Sequence, residues 1–360
     1  MIFTIHPHRN VLCTHKTTIE FTTDSELTLR GDCILGVNAD FDLKELKKIK
    51  GKFKVAITCG KLKDSFIAYS VNSFNSDHEL VIRKTSFISP RTFGIKSNKS
   101  SSEINRDLVN LLRKHAGTVK IEKIKIKALI FDLDETLATW ADAKSKGLEA
   151  MTSKVCELYK INGLRAQDFI NAFHKIEHDQ LASSKYPEDH SRELWSRKAL
   201  QLLGITCKKS DSLELERIFH DETLKYVELF SDTEKVLREL KKTYKIAIFS
   251  DSDGKKHFKI NRIERLGLDR ISDLIVTSDD TGYTKPHVIN FLHTAEQLKL
   301  KPEECAMIGD WPERDLITAK DLGMTTILIK NGNGKSMKDY KYVDFEIESI
   351  KDLHKILKEI

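Results

Sequence analysis

The sequence predicts two domains of different fold class: a small all-β barrel or sandwich over residues 1–120, then an α/β domain with a doubly wound parallel sheet over 121–360. Short segments rich in β-branched and aromatic residues recur in the N-terminal third. From about residue 123, apolar strand candidates alternate with helical patterns, which favours a parallel sheet. A long, mostly helical stretch separates the first two of these strands, and it predicts an inserted helical cap over about 143–230.

Four segments of the N-terminal domain are predicted strands, because turn residues separate runs of strand-forming residues. They are TTIEFTT (17–23), CILGVNA (33–39), KFKVAITCG (52–60) and HELVIRK (78–84). The polar stretch SNKSSSE then leads into a predicted helix, INRDLVNLLRKHAG (104–117), whose apolar residues fall on one face. Ser102 is the predicted N-terminal cap of this helix, and Gly117 is its predicted end.

Five segments of the second domain are predicted strands of the parallel sheet. They are KIKALIFDLD (125–134), YKIAIFS (244–250), DLIVTS (273–278), CAMIGD (305–310) and MTTILIK (324–330). In a doubly wound sheet, functional residues gather beyond the carboxyl ends of the strands. The residues that end each predicted strand are therefore the candidates for a functional site.

The composition indicates a folded protein without a membrane span or a disulfide framework. Hydrophobic residues make up 40% of the chain, and its apolar runs are far shorter than a spanning helix needs. The six cysteines are scattered without a CxxC pair, and the N-terminus lacks the pattern of a signal peptide. These features predict reduced thiols and a cytoplasmic location.

Polar residues end four segments of the second domain. Asp132 and Asp134 end the first predicted strand, two residues apart and on one side of it. The other segments supply Ser250 with Asp251, Lys285 before Pro286, and Asp310 with Asp315. Buried carboxylates are costly unless their charge is compensated, so this acidic edge predicts a metal ion.

The motifs FDLDETL, IFSDS, TKP and IGDWPERD, in this order and spacing, resemble the four signature motifs of the haloacid dehalogenase (HAD) superfamily over about 123–360. The resemblance implies a HAD-like Rossmannoid fold and a phosphoric monoester hydrolase. Such an enzyme works with Mg²⁺ through an aspartyl-phosphate. Family members that cleave carbon–halogen bonds lack an acid at the position of Asp134, so this residue favours phosphoryl transfer.

The resemblance also implies a role for each motif residue. Asp132 is the nucleophile, and Asp134 protonates the leaving group and later activates water. Lys285, the third catalytic residue, neutralises the phosphoryl group. Mg²⁺ is held by Asp132, the backbone carbonyl of Asp134, and Asp310. The remaining implied residues are Thr136, Ser250 and Asp251 for substrate binding, with Asp315 in support.

The expected substrate is a small phosphorylated metabolite selected by the cap. Phosphoglycolate, sugar phosphates, triose phosphates and nucleotides all remain candidate substrates, and the phosphoryl acceptor and the oligomeric state are also undetermined by the sequence.

Within the cap, Trp195 is either core or part of the substrate face with Arg192 and Arg197. The HxxEH pattern of residues 174–178 resembles one class of zinc peptidase, but an ordinary amphipathic helix is favoured.

The N-terminal domain, over roughly 1–118, resembles an archaeal β domain of unknown function and brings no activity with it. Residues 1–122 hold 20 Lys and Arg against 13 Asp and Glu. This basic excess supports an alternative function, a protein that binds nucleic acid or another acidic partner through the β domain, with the hydrolase secondary. His6, His8 and His15 are further metal-ligand candidates, with His6 and His8 expected on one face of a strand.

Overall fold

A computed structural model of the chain describes residues 1–161, 163–331 and 342–360. The chain divides into two compact units, one formed by Met1–Lys125 with His354–Ile360 and the other by Ile126–Leu353. The first unit is mostly β and the second is α/β, which confirms the predicted fold classes. Each unit has an apolar core of its own.

The first unit is built on a mixed sheet of eight strands in the order β1-β8-β4-β5-β7-β6-β2-β3. The strands are β1 (Ile2–Ile5), β2 (Thr18–Thr22), β3 (Ile34–Gly36), β4 (Lys52–Cys59), β5 (Leu62–Ser70), β6 (Glu79–Arg83), β7 (Thr92–Ile95) and β8 (Gly117–Lys123). Just beyond β1 and β3, His6 and Val37 exchange two backbone hydrogen bonds of 2.8 and 3.2 Å. This pair joins the two ends of the sheet, so the sheet closes into a barrel.

Apolar side chains fill the interior of the barrel. Strand β4 shows the alternation, because Phe53, Val55 and Ile57 are buried while Lys54 and Thr58 are partly exposed. The four strands predicted in this unit are present, whereas β1, β5, β7 and β8 were not predicted. The expectation that His6 and His8 share a strand face is wrong, because β1 ends at Ile5.

Two short helices, α1 (Leu43–Lys48) and α2 (Arg106–Leu112), accompany the barrel. The predicted caps of the second helix are wrong. The side chain of Asn105 caps α2 by accepting the N–H groups of Asp107 and Leu108 at 2.9 and 3.1 Å. Ser102 lies in the preceding 3₁₀ turn, and Gly117 begins β8 instead of ending the helix.

The second unit contains a parallel sheet of six strands in the order β11-β10-β9-β12-β13-β14. They are β9 (Ala128–Phe131), β10 (Lys245–Ser250), β11 (Leu274–Thr277), β12 (Cys305–Gly309), β13 (Thr325–Ile329) and β14 (Phe345–Ile347). The first five were predicted, and β14 was not. The chain winds in opposite directions on either side of the central strand β9, and the crevice at its carboxyl end is the expected place for a ligand.

Helices flank the parallel sheet and form a separate layer between β9 and β10. The flanking helices are α7 (Thr233–Leu240), α8 (Lys256–Arg265), α9 (Val288–Gln297), α10 (Pro312–Asp315) and α11 (Ile317–Asp321), whereas α12 (Leu353–Glu359) belongs to the first unit from His354 onward. The separate layer, which we call the helical insertion, consists of α3 (Ala141–Tyr159), α4 (Leu164–Ser183), α5 (Arg192–Leu202) and α6 (Lys209–Tyr226). Its apolar core includes Phe169, Phe173, Trp195 and Phe219.

Close packing holds the first and last helices of the insertion together. A Cβ on Gly147 in α3 would lie 2.6 Å from Thr223 Cγ2 and 2.8 Å from the Phe219 carbonyl oxygen, both in α6. Any larger side chain at Gly147 would therefore force the two helices apart.

Two further sequence-based expectations concern the whole chain. All six cysteines are free thiols, as predicted. None of the helices in the described residues combines the length and hydrophobicity that a membrane span requires. The cytoplasmic location stays a prediction.

One buried histidine of α6, His220, leads to a prediction about stability. Its ring stacks on Phe258 at 3.8 Å between centroids, and neither ring nitrogen has a hydrogen-bond partner among the described residues. Burial holds the pKa of His220 well below its ordinary value of 6.5. Below pH 6.5, His220 therefore binds a proton in the unfolded chain but stays neutral in the folded chain. The free energy of unfolding is not reduced by this difference above pH 6.5, and it falls as the pH drops below 6.5.

The free energy of unfolding of the parent chain is expected to fall between pH 8 and pH 5. In His220→Leu this fall is expected to be smaller by about 2 kcal/mol. Denaturant unfolding at both pH values measures this difference. His178→Leu, at an exposed histidine of α4, is the control and should keep the parent's pH dependence. A pH dependence of His220→Leu equal to that of the parent chain would contradict the expectation.

Candidate active site

The carboxyl end of β9 places Asp132 beside Lys285. The backbone N–H of Asp132 donates to the Ile308 carbonyl at 2.9 Å, so the residue extends the pairing of β9 with β12. The Lys285 ammonium donates to Asp132 Oδ1 and to Asp315 Oδ1, both at 2.6 Å. One buried lysine thus connects carboxylates that follow two neighbouring strands.

Three buried carboxylates form a cluster that fits a hard metal ion. Asp132, Asp310 and Asp315 each offer an oxygen, and these atoms lie within 4.8 Å of one another. Mg²⁺ prefers carboxylate oxygens, so the donor set suits it. The sequence predicted Asp132 and Asp310 as ligands and assigned Asp315 only a supporting role. The structure places the carboxylate of Asp315 in the same cluster.

The charges of this cluster depend on one another. Burial raises the pKa of Asp132 to about 6, although the nearby Lys285 ammonium acts in the opposite direction. Burial disfavours the charged form of Lys285, but Asp132 and Asp315 raise its pKa above the ordinary value. A cation at the cluster would favour the ionised form of Asp132, the form that a nucleophile needs.

Asp134 turns its carboxylate away from this cluster and toward helix α8. Lys259 Nζ donates to it at 2.7 Å, and Arg262 makes two bonds of 2.7 and 2.9 Å. Burial raises the pKa of Asp134, but the charges of Arg262 and Lys259 outweigh burial and hold the pKa below its ordinary value. Asp134 is therefore ionised in this arrangement, and its predicted metal contact, through the backbone carbonyl, stays a prediction.

Asp251, a predicted substrate-binding residue, is bound within the protein. It accepts the Lys285 backbone N–H at 2.8 Å and Arg314 Nη2 at 2.6 Å. Arg314 Nη2 also donates to His190 Nε2 at 3.4 Å, while His190 Nδ1 donates to the Ser252 carbonyl at 3.2 Å. Burial lowers the pKa of His190 to about 4, so the imidazole is neutral and fills both roles.

The other predicted substrate contacts lie at the strand ends. Ser250 is the last residue of β10 and is buried against the cavity. Thr136 is also buried, and its hydroxyl donates to Asp310 Oδ1 at 3.5 Å. Their roles toward a substrate stay predictions.

A cavity of about 140 Å³ lies above the cluster, between the sheet and the helical insertion. Of the predicted site residues, it is lined by Asp132, Asp134, Ser250, Asp251, Lys285, Asp310 and Asp315. The insertion contributes Glu177, Leu181, His190, Arg192 and Trp195. Arg197, the third candidate of the insertion, is instead partly exposed and pairs with Glu193 at 3.2 Å.

The other metal-ligand candidates do not assemble into a site. Within the described residues, no cluster of possible ligands contains His6, His8 or His15. The same holds for the HxxEH segment, where Glu177 pairs with Lys144 at 3.0 Å and with His174 at 3.3 Å. Residues 174–178 lie within the helix α4, in agreement with the amphipathic helix favoured from the sequence.

Residues 126–323, more than half of the chain, match the family model described as haloacid dehalogenase-like hydrolase. The chain belongs to this family. Residues 3–126 match a second model, a domain of unknown function (DUF371). Both resemblances predicted from the motifs and the N-terminal segments are therefore confirmed.

Similar proteins cover the two parts of the chain separately. Glyceraldehyde 3-phosphate phosphatase of Methanocaldococcus jannaschii is 28% identical over 240 residues, which are 65% of this chain and 98% of that protein. An uncharacterized protein of the same organism is 38% identical over 115 residues, which are 29% of this chain and 85% of that protein. The family match and the phosphatase relatives confirm the predicted enzyme class, a HAD phosphatase.

A solved structure supports the fold of the second unit. A HAD-hydrolase of Bacillus subtilis, crystallised with magnesium, covers 65% of this chain and 99% of its own chain, with a TM-score of 0.53 and 20% identity. At this identity the similarity concerns the fold alone.

Sequence reasoning missed several charged residues of this HAD hydrolase. Lys259 and Arg262 stand three residues apart on α8, a spacing that places two cations on one helix face. That pattern could have indicated a buried acidic partner. Arg314 gave no such signal. Its acidic partner, Asp251, follows a different strand, and a charged residue within GDWPERD is typical of a solvated turn.

Gly309, the residue before Asp310, provides a test of the site's geometry. A Cβ at this position would lie 2.4 Å from Asp315 Oδ2 and 2.6 Å from its Cγ. Asp315 has a short side chain fixed by Lys285, so it has little room to move. Gly309→Ala is expected to lower kcat for phosphate release by about 100-fold and to cost about 1–3 kcal/mol of stability. Activity equal to that of the parent chain would contradict this geometry.

Proposed function

We propose that this HAD hydrolase is a Mg²⁺-dependent phosphatase that cleaves a small phosphate monoester through a phosphorylated Asp132. One observation carries the proposal. Lys285 joins Asp132 to Asp315 beside the cavity that both residues line, within a buried cluster of three carboxylates. A nucleophile, a fixed cation and ligands for a second cation thus lie together.

Phosphoryl transfer would begin with attack of a carboxylate oxygen of Asp132 on phosphorus. The bond from phosphorus to the leaving oxygen breaks, and Asp134 supplies the proton that makes this oxygen an alcohol. Lys285 and the hydroxyl of Ser250 offset the charge of the phosphoryl oxygens. Mg²⁺, held by Asp132, Asp310 and the Asp134 carbonyl, would add the charge compensation that a phosphoryl group requires.

The second step would transfer the phosphoryl group to water. Asp134 takes a proton from the water while the water oxygen attacks phosphorus. The bond between phosphorus and the Asp132 oxygen then breaks. The contacts of Asp134 with Arg262 and Lys259 favour its ionised form, which is the form that this step needs. Before it protonates a leaving group, Asp134 must loosen these contacts and carry a proton, which the step with water supplies in each cycle.

The helical insertion would act as the cap that closes this site. Several hydrogen bonds connect it to the loops after the strands. For example, Arg314 Nη1 donates to the Leu181 carbonyl at 3.3 Å, and the Thr284 N–H donates to the Lys185 carbonyl at 3.0 Å. A Cβ on Gly254 of the sheet domain would lie 2.4 Å from Ser191 Cα of the insertion. Such close contact would exclude bulk water during the reaction.

A small substrate agrees with the volume of the cavity. An engineered cavity of about 150 Å³ holds a molecule the size of benzene, so about 140 Å³ suits a short carbon chain better than a nucleotide. The relatives named as glyceraldehyde 3-phosphate phosphatases support a triose phosphate or a compound of similar size. Nucleic-acid binding by the first unit stays a prediction.

Phosphate release from glyceraldehyde 3-phosphate and phosphoglycolate, with Mg²⁺ or with EDTA, tests the proposal. Turnover is expected with Mg²⁺, and EDTA should abolish it until excess Mg²⁺ is restored. Hydrolysis that is equally fast in EDTA would contradict the assigned role of the carboxylate cluster. Absence of turnover across a panel of small monoesters would contradict the phosphatase assignment.

A further inference from the structure

Two residues that line the active-site cavity each hold a buried hydrogen-bond donor without a partner among the described residues. These donors are Arg192 Nε, in the helical insertion, and Ser252 Oγ, in the loop after β10. Buried polar atoms are almost always hydrogen-bonded to protein, water or a ligand. Two exceptions in one cavity indicate the place of a bound molecule.

The surroundings of Arg192 fix its guanidinium in one orientation. Nη1 donates to the His190 carbonyl at 2.5 Å, and Nη2 contacts Asp253 Oδ1 at 3.4 Å. The guanidinium lies 4.3 Å from the centroid of the Trp195 ring, and only 5% of the side chain is exposed. Because these contacts hold the planar group, its Nε–H is a preorganised donor.

Ser252 is held in a similar way through its backbone. Its N–H donates to Ser278 Oγ at 2.9 Å, and its carbonyl accepts from His190 Nδ1 at 3.2 Å. Within the part of the chain that the structure describes, the hydroxyl of this residue has no hydrogen-bond partner. Ser252 lies two residues beyond Ser250, which is proposed to contact the phosphoryl group, and both residues line the cavity.

We propose that Arg192 and Ser252 form a subsite that binds an oxygen acceptor at the far end of a two- or three-carbon phosphate monoester. The inference rests on the proposed phosphatase function and adds specificity-determining residues to it. An arginine can only donate hydrogen bonds, so the group it meets must be an acceptor. A carboxylate and a carbonyl both qualify, whereas an alkyl end would leave both donors unpaired.

Three substrates of similar size separate these cases in the chain of 360 residues with Mg²⁺. They are 3-phosphoglycerate with a carboxylate end, glyceraldehyde 3-phosphate with a carbonyl end, and n-propyl phosphate with neither. Sites that hydrogen-bond a substrate strongly reject analogues without the bonding group. The leaving groups of these substrates differ in reactivity. We therefore divide kcat/KM for each oxygen-bearing substrate by kcat/KM for n-propyl phosphate, and compare this ratio between a variant and the parent chain.

Arg192→Met and Ser252→Ala each remove one donor of the subsite. Each variant is expected to lower the ratio for at least one oxygen-bearing substrate by about tenfold or more. Arg197→Met, which removes a partly exposed arginine of the same helix, is the control and should leave the ratios as in the parent chain. Ser252→Ala is a small change, so it keeps the test decisive if Arg192→Met folds poorly.

The outcomes distinguish the subsite from the function on which it rests. A larger effect of Arg192→Met on 3-phosphoglycerate would identify a carboxylate end, and a larger effect on glyceraldehyde 3-phosphate would identify a carbonyl end. Hydrolysis with parental ratios in folded Arg192→Met and Ser252→Ala would overturn the subsite alone. Failure of the parent chain to hydrolyse any of the three would overturn the proposed function, and the subsite with it.

Discussion

Asp132→Asn is expected to lower kcat for phosphate release by about 10⁴-fold or more, without loss of folded structure. The amide cannot form the covalent intermediate, so the whole two-step route is lost. The fold should persist, because asparagine keeps an oxygen that can accept the bond from Lys285. Burial raises the pKa of Asp132 to about 6, so the ionised carboxylate costs stability at neutral pH, and the amide removes that cost.

Phosphate release and thermal unfolding, both measured at neutral pH, test these expectations together. The midpoint of unfolding without Mg²⁺ should equal or exceed that of the parent chain. Asp142→Asn, at an exposed aspartate in the first turn of α3, is the matched control and should retain parental turnover. Substantial turnover by folded Asp132→Asn would show that another residue is the nucleophile.

Lys285→Met is expected to have the largest effect on stability, a loss of about 3–5 kcal/mol without Mg²⁺, together with loss of turnover. The ammonium is the buried cation that contacts Asp132 and Asp315, at 2.6 Å each. Its removal leaves these carboxylates close together in a buried site without that compensation. The backbone N–H of residue 285, which holds Asp251, is unaffected by the substitution.

Denaturant unfolding of the full chain measures this loss. The second substitution Asp315→Asn should recover part of it, because one of the uncompensated charges is then removed. Lys351→Met is the matched control, since Lys351 is largely exposed and its bond to Asp232 should contribute less than about 1 kcal/mol. Equal losses in Lys285→Met and Lys351→Met would mean that the cluster does not depend on this lysine.

The strand ends of the catalytic unit were predictable because local sequence determines them. Apolar runs give way abruptly to polar residues at Asp132, Ser250 and Asp310, and parallel strands bring such ends to one edge. The structure brings Lys285 into contact with Asp132 and Asp315, three of the residues chosen from the motifs, and their catalytic roles stay predictions.

Contacts between distant segments could not be predicted in this way. The bond from Lys259 to Asp134 joins residues 125 positions apart, and nothing local to either residue specifies it. The same is true of barrel closure through His6 and Val37, which depends on the pairing of the whole sheet. The predicted start of α2 was wrong for a local reason. Asn105 is as good a capping residue as the serines before it, and it caps the helix instead.

The most direct test of the account is to detect the phosphorylated aspartate. The variant Asp134→Asn, with all 360 residues, would be mixed with Mg²⁺ and acetyl phosphate, quenched in acid and analysed by peptide mass spectrometry beside the parent chain. Acetyl phosphate has a good leaving group and needs little help from an acid, whereas breakdown of the intermediate needs the base that Asp134 supplies. We expect one phosphoryl group on Asp132, with more accumulating in the variant. A chain that hydrolyses acetyl phosphate while phosphorylated at another residue, or at none, would contradict the account.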